Sequence, residues 1–251
     1  MKLAGRVALV TGSGRRMGRA IALGFAAAGA DVVINGLSDR ASMEKTVADA
    51  QALGVKAIGR LADIRDRAAV AAMVADAERE LGPIDVLVNC PAPRPEAPFE
   101  QVTDDMWHEV MSTVLYGSFV CTQAVLPGML RQGRGTILNL IGLAGQTGAP
   151  HRAHITAAKH GLVGLTKTLA MEYAGRGITV NAVSPAMIAR SEPRPDRPAR
   201  SNEEGGRTPP RIPVGRQGRQ DEVAALCCFL ASEDARYITG QVYAINGGVV
   251  I

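Results

Sequence analysis

The sequence predicts an α/β domain: a doubly wound parallel sheet of about seven strands with helices on both faces. Three observations predict it. Short apolar runs alternate with longer helical stretches along all 251 residues. The runs are more continuously apolar than a strict alternation, Val7-Ala8-Leu9-Val10 most of all, as strands buried on both faces tend to be. A glycine-rich turn sits between the first run and the first helical stretch, where such sheets receive phosphate groups.

Val7-Ala8-Leu9-Val10 is the first strand, and residues 16–28 form the helix that follows. Asp31-Val32-Val33-Ile34 is the second strand, with a helix over 40–53 ended by Gly54. A third strand runs from Lys56 to Leu61, and a helix over 66–81 stops at Gly82-Pro83. Ile84 to Val88 is the fourth strand, followed by a proline-rich stretch from Pro91 to Pro98. Long helices over 103–130 and 154–174 flank a fifth strand, Thr136 to Leu140. Ile178 to Val183, a helix over 221–231 and Val242 to Ile245 complete the sheet. Without an internal repeat, residues 1–251 read as one domain. Ser191 to Pro213 has no periodicity and is rich in proline and arginine. A loop of that length inside a compact domain reads as a substrate lid.

Composition narrows the function classes. Hydrophobic residues make up 47% and aromatics only 4%, so the core is aliphatic. No apolar run approaches the roughly 18 residues of a membrane span. No signal-peptide core follows Met1, and the expected location is cytoplasmic. Cys90, Cys121, Cys227 and Cys228 form no C-x-x-C pair and read as small buried hydrophobes, so no metal site is expected. Net charge is +4, and residues 190–219 carry eight arginines against four acids. The excess is local, which argues against a nucleic-acid face.

The turn is Thr11-Gly12-Ser13-Gly14-Arg15-Arg16-Met17-Gly18. A glycine turn alone is weak evidence; one that closes an N-terminal strand and opens a helix is strong. Its spacing resembles the T-G-x-x-x-G-x-G turn of the short-chain dehydrogenase/reductase family, with Thr11, Gly12 and Gly18 matching and Arg16 at the middle glycine. The likeness runs on through Asp63-Ile64, Leu87-Val88-Asn89, the stretch Ile178 to Pro185, Ile238 to Gln241, and Asn246-Gly247-Gly248. It implies a Rossmann-type domain that binds NAD or NADP. The cofactor residues it implies are Thr11, Gly12, Ser13, Gly14, Arg15, Arg16, Met17, Gly18, Asp63, Ile64, Asn89, Lys159, Pro185 and Ile188.

NAD-using members end the second strand with an acid for the ribose hydroxyls. Gly36 stands there, Leu37 follows, and Arg15 offers a cation matched to a 2′-phosphate. NADP is therefore expected ahead of NAD, with no bound nucleotide as the third option.

The family's catalytic set is Asn, Ser, Tyr and Lys. By their neighbours those positions fall on Val114, Gly142, Ile155 and Lys159, so only the lysine is retained. His151, His154 and Thr156 flank Ile155 and are weighed as substitutes, with loop and surface histidines the plainer reading. The resulting expectation is a catalytically impaired pseudoenzyme, or a non-catalytic subunit paired with itself or with an active paralogue. The alternative is an NADP-dependent carbonyl reductase or alcohol dehydrogenase, or a redox-neutral enzyme, working through substituted residues. Helix 154–174, with Leu162, Val163, Leu165 and Leu169, is expected to pair subunits in a dimer or tetramer.

Overall fold

The computed structural model describes residues 1–91, 93, 95–189 and 211–251. Arg190 and nearly all of the expected lid, 191–213, lie outside them. Seven strands form one parallel sheet in the order β3-β2-β1-β4-β5-β6-β7. They are β1 (Val7–Val10), β2 (Asp31–Gly36), β3 (Ala57–Leu61), β4 (Val86–Asn89), β5 (Gly135–Leu140), β6 (Ile178–Pro185) and β7 (Val242–Ile245). The strand order reverses between β1 and β4, and the crevice beyond the carboxyl ends there is where such sheets bind ligands.

Helices cover both faces. On one side α1 (Arg16–Ala27), α2 (Arg40–Gln51) and α7 (Gln220–Ala231) bury Ile21, Phe25, Met43, Val223 and Leu230 against Val10, Val32 and Val88. On the other, α3 (Arg67–Leu81), α5 (Gly117–Gln132) and α6 (Ala153–Tyr173) cover Leu9, Val33, Leu87 and Ile137. Alternate residues of one strand thus feed two separate cores, which is why no polar position interrupts Val7–Val10.

The expected helix over 103–130 is α4 (Asp104–Val110), a π-helical turn (Met111–Tyr116) and α5 in continuous succession. By length and composition Asp104–Gln132 could cross a membrane, contrary to the sequence reading. Here it is a core helix, with Val110, Val114, Val120, Val125 and Met129 buried in the fold. The Ser118 hydroxyl donates to the Val114 carbonyl at 2.7 Å, satisfying an acceptor in the widened turn. Helix α6 differs from expectation in facing. Leu162 is fully buried, and Val163, Leu165 and Leu169 pack against the core.

At the opposite, amino-terminal end of the central strands, Asp85 is buried beside the start of β1. It accepts from the Val7 N–H at 2.9 Å, from Arg6 at 3.2 Å and from Arg134 at 2.8 Å. Asp85→Ala leaves the buried Val7 N–H without its acceptor and takes from Arg6 and Arg134 the carboxylate between them, Arg6 keeping only Glu233 among the described residues. Urea denaturation should show a loss of about 3 kcal/mol, and a loss below about 1 kcal/mol would show that water replaces the carboxylate.

Candidate functional site

The glycine turn lies on the crevice between β1 and β4. Gly12 has φ +61°, and a Cβ there would stand 3.2 Å from the Cys90 carbonyl oxygen. Gly18 packs α1 onto the turn so closely that a Cβ would meet the Gly12 carbonyl oxygen at 2.3 Å. Arg16 holds φ +53°, a left-handed backbone that explains why a glycine resembles its position better than an arginine does. Among the described residues no side chain caps α1, which leaves its first N–H groups the kind of donors a phosphate can take up. The cradle fits a pyrophosphate.

The turn is braced from β2. Asn35 Oδ1 accepts from the Gly12 N–H at 3.2 Å, its carbonyl accepts from the Ser13 N–H at 2.8 Å, and its Nδ2 donates to the Ala62 carbonyl at 3.1 Å. The Ser13 hydroxyl in turn donates to Val10. Thr11 Oγ1 accepts from the Cys90 N–H at 2.9 Å and fastens β1 to β4. Ser13 and Thr11 therefore shape the loop from inside.

Gly36 ends β2, as read from the sequence. Arg15 is largely exposed and pairs at 3.7 Å with Asp39, the residue that caps α2 through the Ser42 N–H. A hydrogen bond from the Ser42 hydroxyl, and after it that capping bond, hold the Asp39 carboxyl below the usual range. Asp63 is engaged by Arg65 at 2.7 Å, which lowers its pKa, while Ile64 is buried over Gly117. Asn89 is fully buried, and its Nδ2 donates to Asn139 at 2.9 Å and to Thr122 at 3.2 Å. It cross-links β4, β5 and α5 inside the fold. Pro185 ends β6, and Ile188 forms a short parallel bridge to Gly218.

Lys159 lies in α6, 7% exposed, with its ammonium across the carboxyl ends of β4 and β5. Nζ donates to the Leu140 carbonyl at 2.6 Å and to the Pro91 carbonyl at 3.3 Å. Ile155, one turn earlier, is buried in the same apolar cluster as Val114, Ile141 and Leu162. Gly142 follows β5 with φ +61° and ψ −176°, a combination open essentially to glycine alone. Its carbonyl accepts from the Ser184 hydroxyl at 2.8 Å. The structure gathers Lys159, Ile155, Gly142 and Pro185 at one end of the sheet.

The family model described as enoyl-(acyl carrier protein) reductase matches residues 12–250. The chain belongs to the short-chain dehydrogenase/reductase family. Among its relatives, the 3-oxoacyl-(acyl-carrier-protein) reductase of Staphylococcus aureus is 38% identical over 96% of this chain and 97% of its own length. The enzyme of the same name from Thermotoga maritima is 37% identical over the whole of both chains. That of Salmonella typhimurium is 34% identical over 99% of each.

These relatives correct the functional expectation. A pseudoenzyme or non-catalytic subunit was inferred from the residues at positions 114, 142 and 155. The short-chain dehydrogenase/reductase relatives, matched from end to end, are named as reductases, so the lean against an enzyme is withdrawn. Pairing with an active paralogue loses its reason as well. The histidines also need revision. His151 is exposed, but His154 is fully buried, not on the surface. Sequence reasoning passed over Asn35 and Asp39. The signal was a polar side chain at the end of the apolar run Asp31 to Gly36, and an aspartate three residues before a helix's first turn closes.

The cysteines match the expectation of buried hydrophobes only in part, since Cys90 and Cys228 are half-buried. Cys121 and Cys227 are buried, and burial pushes the Cys121 thiol up to about 12. Cys228 is half-buried, with its thiol raised to about 11 for the same reason. Thiols held neutral in this way are poor nucleophiles.

Proposed function

We propose that this chain is an NADPH-dependent reductase of a 3-oxoacyl thioester, with the Lys159 ammonium as its proton donor. The observation that carries this reading is the end-to-end likeness to 3-oxoacyl-(acyl-carrier-protein) reductases. The turn Thr11 to Gly18 would hold the pyrophosphate, with Asp63, Ile64, Asn89, Pro185 and Ile188 around the rest of the cofactor. When bound, NADPH supplies the hydride.

The residues of this chain must manage charge and a proton. As the substrate carbonyl is reduced, its oxygen takes up an electron pair. Ile155, Gly142 and Val114 stand where the family's Tyr, Ser and Asn would, and none of the three side chains can donate. Lys159 is buried beside them. Its Nζ–H bond breaks, an O–H bond forms on the substrate, and the neutral amine regains a proton from water. The low polarity around Ile155 and Val114 strengthens an ammonium–oxyanion attraction relative to water.

NADPH is favoured over NADH on two grounds. Gly36 supplies no acid for the ribose hydroxyls, and the exposed Arg15 is held only loosely by Asp39. A 2′-phosphate can replace that carboxylate as its partner. The chain would act in the cytoplasm as a homo-oligomer. A groove of about 640 Å³ in which Met111, Leu115, Tyr116 and Phe119 lie beside Arg65, Asp105, His108 and Glu109 gives it a partly apolar surface to cover, which light scattering would test.

The deciding assay follows reduced-nicotinamide absorbance with acetoacetyl-coenzyme A as substrate. Steady consumption of NADPH, with slower consumption of NADH, is the expected result. No consumption of either would end the reductase reading, and a preference for NADH would end the cofactor assignment. Gly18→Ala adds an independent check by binding alone. Its Cβ forces the turn open, so dinucleotide affinity should fall at least about tenfold, or ~1.4 kcal/mol, in a fluorescence titration. Unchanged affinity would place the cofactor elsewhere.

A further inference from the structure

The segment between β4 and α4 contains Pro91, Pro93, Pro95 and Pro98. Proline has no N–H, so such a segment can be fastened mainly through its carbonyls, by donors from outside. Helix α6 and the residues just before it supply those donors. Lys159 Nζ donates to the Pro91 carbonyl at 3.3 Å, and His154 Nε2 lies 3.1 Å from the Pro95 carbonyl. Beside them, Arg152 pairs with Glu96, and the Ala97 N–H donates to the His151 carbonyl at 3.0 Å.

His154 stands apart from the other fasteners because it is fully buried. In the neutral ring, a proton on Nε2 leaves Nδ1 as an acceptor, and among the described residues Nδ1 has no hydrogen-bond partner. A buried acceptor left unpaired is unfavourable, and an apolar side chain of similar size would avoid it. The position keeps a histidine all the same.

We propose that His154 is a positioning residue. Its Nε2–H fixes the Pro95 carbonyl, four residues along the chain from the Pro91 carbonyl that accepts from the Lys159 ammonium, and so limits how far that second carbonyl can move. The fixed φ angles of Pro91, Pro93 and Pro95 reduce the freedom of the chain between the two carbonyls. The ammonium is then aimed by two carbonyls, Leu140 on the rigid strand and Pro91 on the fastened segment. This inference rests on Lys159 as proton donor.

The test uses the full chain and compares His154→Leu with His154→Gln. Leucine fills the space without a donor. Glutamine can place its Nε2 near the same carbonyl. Hydrogen exchange is followed on the peptide Cys90–Phe99, and kinetics are measured with NADPH and acetoacetyl-coenzyme A. In His154→Leu the Ala97 amide should exchange at least about tenfold faster, while the melting temperature holds. Its kcat should fall about tenfold with KM for NADPH unchanged, because the cofactor turn is untouched. His154→Gln should restore both. Unchanged exchange in His154→Leu would overturn the proposal, as would faster exchange with full kcat, or a glutamine variant no better than leucine. If the wild-type chain turns nothing over, the reductase reading fails separately, and the exchange rates still decide whether His154 holds the segment.

Discussion

Lys159→Met lowers kcat for 3-oxoacyl reduction by about 10²–10⁴, the range a positioned acid supplies. Methionine is the informative replacement because it keeps the apolar stem of a side chain that is 7% exposed and removes only the charge. The Leu140 and Pro91 carbonyls lose a donor, so some loss of stability accompanies the loss of rate. The two effects separate by measurement. Thermal unfolding reports the first, and single-turnover rates at saturating NADPH report the second. Lys159→Arg keeps a cation but cannot give up its proton at neutral pH, so it should resemble methionine in kcat while unfolding like the wild type. Turnover within threefold of wild type in either variant would exclude the ammonium as the proton source.

Ile155→Tyr raises kcat by about two decades, the lower part of what a well-placed acid contributes. A phenol one helical turn before Lys159 lies on the same face as the ammonium, since residues four apart share a face. The isoleucine is packed among Val114, Ile141 and Leu162, so the larger ring crowds a filled cluster and should cost about 1–3 kcal/mol of stability. Gly142→Ser is a poor companion, although it would seem to complete the restoration. There is space for its Cβ, whose nearest neighbour would be the Pro185 carbonyl oxygen at 3.7 Å. The obstacle is the backbone, since φ +61° with ψ −176° excludes side chains at a cost of about 1–3 kcal/mol. The single tyrosine is therefore the cleaner variant. A kcat equal to or below wild type, in a protein that still melts cooperatively, would show that position 155 does not face the reacting oxygen.

Much of the fold was legible because its signals are local. A strand buried on both faces favours apolar residues throughout, and Val7–Val10 and residues 86–88 show it, while Ile178–Pro185 is buried as far as Ser184, with Thr179, Asn181 and Ser184 hydrogen-bonded inside. Glycine at 12 and 18 marks close backbone approaches that no other residue allows, so the turn could be placed from the sequence. The facing of helix α6 was less legible. A weak apolar contrast around that helix cannot say which of Leu162, Val163 and Leu165 points inward. The same weakness hid the burial of His154.

By itself, then, the sequence determined the parallel α/β sheet, the phosphate turn, the missing acid at Gly36 and the lone lysine at position 159. Each follows from residue type at one position or from a short period along the chain. Only the tertiary structure decided that Asn35 braces the turn, that Asp39 meets Arg15, that Gly142 occupies a glycine-only conformation, and that His154 and Lys159 both fasten the proline segment. These depend on contacts between residues 23 to 68 positions apart, or on a backbone angle imposed by the surrounding packing. No local pattern encodes such a meeting, because it exists only once the strands have been brought side by side.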